Sequence, residues 1–269
     1  MLPYIEIAGQ RFTTYALMWG LAIFVGGTAA FQRMLGRGIP PRMATVGTLL
    51  MVWGGLVGLV ILGALPALVE ALRLGQPFSL KLGFNIFAFV LGALISWLLY
   101  WRKQDVSLWR VADAAFLAAP LAEAVGRWGC LGAGCCGGRV TDSWLALYLP
   151  DANGIWAARY PTQMLASLGG LSAALIVLGF EGWRRAAHRP PDWPQPGFVA
   201  ALALFFAGLQ RFLIEFLRAD PALIGPFHLG HLFSGLMILM AVLIVFVRRK
   251  SVEQGDLAGM PQLREQRPH

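Results

Sequence analysis

The run Leu121–Asp142, LAEAVGRWGCLGAGCCGGRVTD, sets two arginines and a cluster of glycines between stretches apolar enough to cross a membrane. A charged side chain at membrane depth costs roughly 2.5–3.5 kcal/mol on insertion scales, so it is retained where it has a partner or a task. Glycine carries no Cβ, which lets backbone and ligand approach closely. An arginine in such surroundings suits an anion whose remainder is apolar. A phospholipid headgroup meets that description.

Outward from this run, the 269-residue chain is 57% hydrophobic and only 13% charged, with mean hydropathy +0.62. A soluble domain would be about 25% charged, so the composition specifies an all-α polytopic membrane protein. The net charge of +8 would suggest nucleic acid in a soluble protein. Here it is read as basic loops held against the anionic cytoplasmic leaflet, with membrane lipids as partners and no nucleic acid.

The rule of about 20 apolar residues per crossing predicts seven spans: Phe12–Gln32, Ala44–Leu72, Leu80–Trp101, Leu108–Val125, Pro161–Phe180, Gly197–Leu217 and Leu229–Val247. The loops after spans 1, 3 and 5, with the C-terminal tail, hold 14 of the 22 Lys and Arg residues. That bias puts the N-terminus outside and the C-terminus in the cytoplasm. Residues 1–250 are read as one transmembrane domain, with the first span a retained helix. Residues 251–269 are read as a polar, disordered cytoplasmic tail. The long outer segment from Arg127 to Tyr160 is expected to mix loop with a short interfacial or re-entrant element. Its Trp144, Tyr148 and Trp156 suit a membrane interface.

Several residues stand out as chemistry. Arg211, Glu215 and Arg218 recur at i, i+4 and i+7, which sets them on one helix face. A glutamate between two arginines in lipid faces protein or water. It serves either as a structural ion-pair lock or as the fixed support of a second cationic wall around the same anion. Glu123 lies one turn before Arg127 and is expected to orient it. Tyr15 stands early in span 1, and Asp113 is placed to favour the positive end of its own helix. Gln163 opens span 5, where bundle hydrogen bonding, capping or packing would each explain it. Cys130, Cys135 and Cys136 match no standard zinc spacing and are read as small residues packed among glycines, so no metal is expected. His228 and His231 have no further ligands in sequence. No Ser-His-Asp signature, phosphate loop or HExxH motif is present, and no cofactor is expected. The lack of an internal repeat argues against a carrier.

The order of these motifs resembles the prolipoprotein diacylglyceryl transferase family, seven-helix enzymes of the bacterial inner membrane. Tyr15 sits in Thr14-Tyr15-Ala16-Leu17-Met18, similar to that family's Trp-Tyr-Gly-Leu-Met. The hallmark Gly-Arg-x-Gly-Asn, then Gly-Glu-x-x-Gly-Arg, is matched by Gly126-Arg127-Trp128-Gly129-Cys130, then Gly134-Cys135-Cys136-Gly137-Gly138-Arg139. Tyr160-Pro161-Thr162-Gln163 is similar to His-Pro-Ser-Gln, and Arg211-Phe212-Leu213-Ile214-Glu215 through Arg218, with Asp220 nearby, looks like Arg-Phe-x-x-Glu-x-x-Arg-x-x-Asp. The chain departs from the pattern where Phe87-Ala88-Phe89 replaces a His-Gly-Gly, where Cys130 and Cys135 replace Asn and Glu, and where Gly58-Leu59-Val60-Ile61 replaces a span-2 arginine region.

The resemblance implies transfer of diacylglyceryl from phosphatidylglycerol to the cysteine thiol of a lipoprotein precursor. Arg127, Arg211, Glu215 and Tyr15 are the implied catalytic residues. Gly138, Arg139, Arg218 and Gln163 join Arg127 in substrate binding. The alternative is a diverged lipid-binding protein of the same fold, acting on another substrate or as an accessory.

Overall fold

The chain is described by a computed structural model over residues 4–7, 9–74, 86–151, 153–190, 193–219, 224–225 and 227–258. A hairpin of β1 (Tyr4–Ile7) and β2 (Gln10–Thr13), with Tyr4 opposite Thr13, leads into the first helix. The Thr13 hydroxyl accepts the Ala16 N–H at 3.2 Å, which caps α1 (Thr14–Gly36). Pro41 then opens α2 (Pro41–Leu74), where its fixed φ suits a first helical turn. The helices α3 (Ile86–Trp101), α4 (Leu108–Ala115) and α5 (Ala118–Ala133) follow. A second hairpin, β3 (Leu147–Pro150) and β4 (Trp156–Arg159), precedes α6 (Thr162–Ala186), α7 (Phe198–Glu215) and α8 (Leu229–Ala258).

Among the described residues, five helical stretches are long and apolar enough to cross a membrane: α1, the Pro41–Ile61 part of α2, α6, α7, and Leu229–Lys250 of α8. A shorter apolar stretch covers Ala88–Trp101 in α3, and the first residues of expected span 3, 80–85, lie outside the described residues. Expected span 4 is corrected. Helix α4 stops at Ala115, and α5 restarts at Ala118 and continues to Ala133. Pro120 accounts for the break, because its ring has no N–H to donate and clashes with the carbonyl four residues back, that of Phe116. Arg127 and Gly129 therefore belong to a helix and not to the loop foreseen after Val125. Helix α8 continues to Ala258. Residues 259–269 lie outside the described residues.

Helix α1 packs chiefly on α5 and α2 on α3, while α5, α6, α7 and α8 pack in succession; α4 touches α1 and α7. Outward faces carry large apolar side chains such as Phe24, Trp53, Leu168, Leu232 and Phe246, as lipid contact requires. Where α2 meets α3, a Cβ on Gly92 would run into the backbones of Gly54 and Gly58. This is the small-residue contact by which membrane helices approach.

Among the described residues, two layers of paired charge stand out. At the C-terminal end of α1, Arg33 and Arg37 clasp the buried Glu181 of α6 at 2.6 and 2.7 Å. Beside them, Asp113 accepts the backbone N–H groups of Gly197 (2.9 Å) and Ala200 (2.8 Å). It therefore caps α7, not its own helix as the sequence suggested. The cap residue of α7 is the left-handed Gly197, so another element must supply the acceptor. The second layer lies at the N-terminal end of α1, about 27 Å away at 1.5 Å per residue from Arg33 to Tyr15.

Candidate functional site

One helical turn sets Glu123 beneath Arg127 on α5. The guanidinium donates to Glu123 Oε1 from Nε (3.0 Å) and Nη2 (2.5 Å). The second carboxylate oxygen accepts Gln210 Nε2 from α7 at 2.8 Å, so Glu123 ties α5 to α7 immediately beside Arg211. On α7 the same local geometry recurs, with Arg211 Nη2 2.8 Å from Glu215 Oε2. Glu215 is almost wholly buried at 1% exposure. Its burial is possible because Gly230 of α8 lies directly against its carboxylate, where a Cβ would overlap it.

Arg218 does not continue the helix face on which the i, i+4, i+7 spacing placed it. Helix α7 ends at Glu215, and the chain turns through Phe216. Arg218 then forms an antiparallel bridge with Gly138, yet its Nε remains 3.6 Å from Glu215 Oε2. The turn keeps the contact that a continued helix would have made, because the bridge supports it from the other side. Arg139 N donates to Leu217 O at 2.9 Å, and Ala219 N donates to Gly137 O at 3.2 Å. The glycine loop after α5 is thereby stitched to the end of α7. Gly138 is needed at that seam, since a Cβ would strike the Tyr160 carbonyl oxygen and lie 2.7 Å from its Cβ.

Arg127 and Arg211 come from different helices and are close enough to feel each other's charge. Arg211 also lies within electrostatic reach of Arg218, Glu215 and Glu123. Three guanidinium groups thus face two carboxylates, leaving one positive charge in excess. Arg211 Nη1 is buried with no hydrogen-bond partner among the described residues. Tyr15 joins the group from the first turn of α1: its backbone packs on Gly129 of α5, and it is in electrostatic range of Arg127 and all three cysteines.

The remaining expected site residues are placed differently. Arg139 is exposed, with its guanidinium over the Tyr160 ring at 5.8 Å. Hydrogen bonding with Thr141 and then Ser143, together with nearby Arg139, holds the Tyr160 phenol below its usual range. Gln163 is buried and donates from Nε2 to the Cys135 carbonyl at 2.9 Å, while Thr162 donates to the Cys136 carbonyl at 2.8 Å. The start of α6 therefore holds the glycine loop in shape. Cys130, Cys135 and Cys136 come together at the end of α5. Their three sulfur atoms lie within 4.8 Å of one another, because Gly134 ends α5 in the left-handed conformation (φ 70°) and folds Cys135 and Cys136 back over Cys130.

Two participants escaped the sequence reading, Gln210 and Gly230, and His231, weighed there only as a metal ligand, joins them. His231 is buried at the start of α8, boxed by Phe212, Phe216 and Phe227, and in electrostatic range of Glu215 and Arg211. Its Nδ1 accepts the His228 backbone N–H at 2.9 Å, so a neutral ring carries its proton on Nε2, which is buried with no hydrogen-bond partner among the described residues. Asp220 lies outside the described residues. Two hollows occur away from the cluster, one apolar between α7 and α8 beside Phe205 and Phe246, the other rimmed by Arg37, Asp105 and Arg110.

The sequence model of a family described as prolipoprotein diacylglyceryl transferase matches residues 4–247. Among similar curated proteins is the phosphatidylglycerol–prolipoprotein diacylglyceryl transferase of Bacillus cytotoxicus, 28% identical over 178 residues, or 63% of this chain and 62% of the relative. Proteins of that name from Bacillus cereus and Bacillus anthracis are 28% and 27% identical over 177 residues, covering 62% of each chain. The match thus spans a little under two thirds of the length of these relatives.

Proposed function

Because the chain belongs to the prolipoprotein diacylglyceryl transferase family, we propose that it moves the diacylglyceryl group of phosphatidylglycerol onto the cysteine thiol of an exported lipoprotein precursor. The reaction takes place at the outer face of a bacterial plasma membrane, with the N-terminus outside, the C-terminus cytoplasmic and about seven membrane passes. The observation that carries this reading is the pair Arg127 and Arg211, brought from α5 and α7 into one charged layer.

The departing glycerol phosphate needs positive charge already in place, since preorganised electrostatics in a dry site is a leading source of rate enhancement. Arg127 and Arg211 supply it as forked donors suited to phosphate oxygens. Glu123 and Glu215 hold each guanidinium in one rotamer, so little reorganisation is needed when charge develops. The unpartnered Nη1 of Arg211 is the first donor available to a phosphate oxygen. Tyr15 contributes a hydrogen bond from α1, and Arg218 and exposed Arg139 guide the headgroup inward. Gly138 and Gln163 act by shaping the loop that carries Arg139. Glu123 accepts guanidinium and amide donors and Glu215 is ion-paired with Arg211 and Arg218, so this reading assigns removal of the thiol proton to another group.

The test is complementation of a transferase-depleted bacterium, scored by a gel shift of a precursor lipoprotein with phosphatidylglycerol as donor. Growth with lipidated precursor is expected. A chain that reaches the membrane normally yet leaves the precursor unmodified would sink the transferase reading and favour a lipid-binding accessory.

A further inference from the structure

The fold spends specific devices on bringing three thiols together. Helix α5 carries Cys130, buried at 2% exposure. The Gly134 turn reverses the chain, and Cys135 N–H closes it by donating to Cys130 O at 3.1 Å. Cys136 then adopts φ 61°, a left-handed conformation that a glycine takes without cost and a cysteine rarely occupies. Glycines surround it in sequence, yet this position carries a thiol. The carbonyls of Cys135 and Cys136 are clamped by Gln163 and Thr162, which fixes the backbone carrying the two half-buried thiols, and Cys135 Sγ lies 3.7 Å from the Cys130 carbonyl oxygen to which it donates. All three sulfur atoms fall within 4.8 Å of one another.

We propose that Cys130, Cys135 and Cys136 bind a thiophilic divalent cation of the zinc class as three thiolates, with one coordination position left for an exogenous ligand. Thiolates are the natural partners of such a cation at about 2.3 Å per bond, and three sulfurs this close reach that spacing with small side-chain rotations. No fourth His, Cys, Asp or Glu is grouped with them among the described residues. A tetrahedral ion held by three protein ligands keeps an open position. Charge balances as well: three thiolates and a divalent cation sum to −1, and Arg127 and Arg218 lie within electrostatic reach of Cys136.

Resting on the function proposed above, this site would supply the missing activation of the acceptor thiol, with water taking the proton. A thiol that coordinates such a cation is deprotonated outright, whereas a free cysteine titrates at about 8.5. The acceptor R–SH loses its proton to water and binds as thiolate. Its sulfur lone pair forms the new C–S bond to the glycerol carbon. The C–O bond to phosphate breaks, and its electron pair leaves on glycerol phosphate beside the arginines.

The full-length protein, purified in detergent and reduced, is titrated with Co(II) alone. Saturation near one ion per chain is expected, with sulfur-to-cobalt charge-transfer absorption and tetrahedral ligand-field bands, reversed by Zn(II). A cysteine-containing peptide should shift the ligand-field bands and its serine counterpart should not. Cys136→Ser should abolish the charge-transfer band at an unchanged helical circular dichroism. No such band in the unaltered protein, its persistence in Cys136→Ala, or a disulfide among the three cysteines after isolation without reductant overturns the site. Cobalt binding without any diacylglyceryl transfer would leave the metal site standing and remove the proposed function. Full transfer by the triple Cys→Ala variant would remove the site's catalytic part alone.

Discussion

Gly230 lies against the carboxylate of Glu215, so closely that any Cβ at position 230 would occupy the space of its terminal atoms. The arginine that Glu215 orients is therefore positioned by a glycine on a different helix. Gly230→Ala should turn the Glu215 side chain away and release Arg211 and Arg218. The obstructing group is the far end of a flexible side chain, so stability should fall by no more than about 1–3 kcal/mol, the usual range for one inserted methyl. Transfer should fall by at least a hundredfold. Thermal unfolding in detergent, run beside the precursor gel shift, separates the two effects; equal activity would contradict the role given to Glu215.

Arg127→Ala should abolish transfer while leaving insertion intact, since removal of a charge eases entry into the bilayer. It also strands Glu123, and breaking one half of a buried pair costs about 3–5 kcal/mol. Arg127→Ala with Glu123→Gln should therefore regain stability without regaining activity. Arg211→Lys should fail too, because an ammonium is a point charge and lacks the planar fork that meets phosphate. Rates of lipidation in membranes containing equal amounts of each variant provide the comparison.

Asp113 holds the start of α7 through two backbone hydrogen bonds, at the opposite charged layer from Arg211. Asp113→Ala should lower stability by about 1–2 kcal/mol, the scale of a lost helix cap. Phosphatidylglycerol binding by the folded fraction should stay as it was. Denaturation midpoints and lipid binding measured on the same preparations give the answer.

Asp151 lies in the outer hairpin, where the Ile155 N–H, then that of Asn153 and the Arg159 guanidinium, favour its charged form and hold its carboxyl below the usual range. A depressed native value means its contribution is complete above the unfolded pKa of about 3.9 and is lost as pH falls through the native value. The hairpin should loosen in acid, visible as faster amide exchange at Ile155 and changed emission from Trp156, which stacks on Tyr148. Asp151→Asn should show the loosened exchange already at neutral pH and lose the acid step.

Much of this was legible along the chain. Apolar runs of crossing length announced helices because lipid leaves a backbone no other partners. The pairs Glu123–Arg127 and Arg211–Glu215 followed from a four-residue separation, because one helical turn brings such residues together whatever surrounds them. The break at Phe116 had its signal in Pro120, and the fold-back of the cysteines had one in Gly134, although neither stated what would meet what. Beyond such separations local rules are silent. The approach of Arg127 to Arg211, the hydrogen bond from Gln210 to Glu123, the seat of Glu215 on Gly230 and the loop bridge that retains Arg218 all depend on how far α5, α7 and α8 slide and rotate against one another. That register is set by the packing of many side chains at once, so only the tertiary structure decided it.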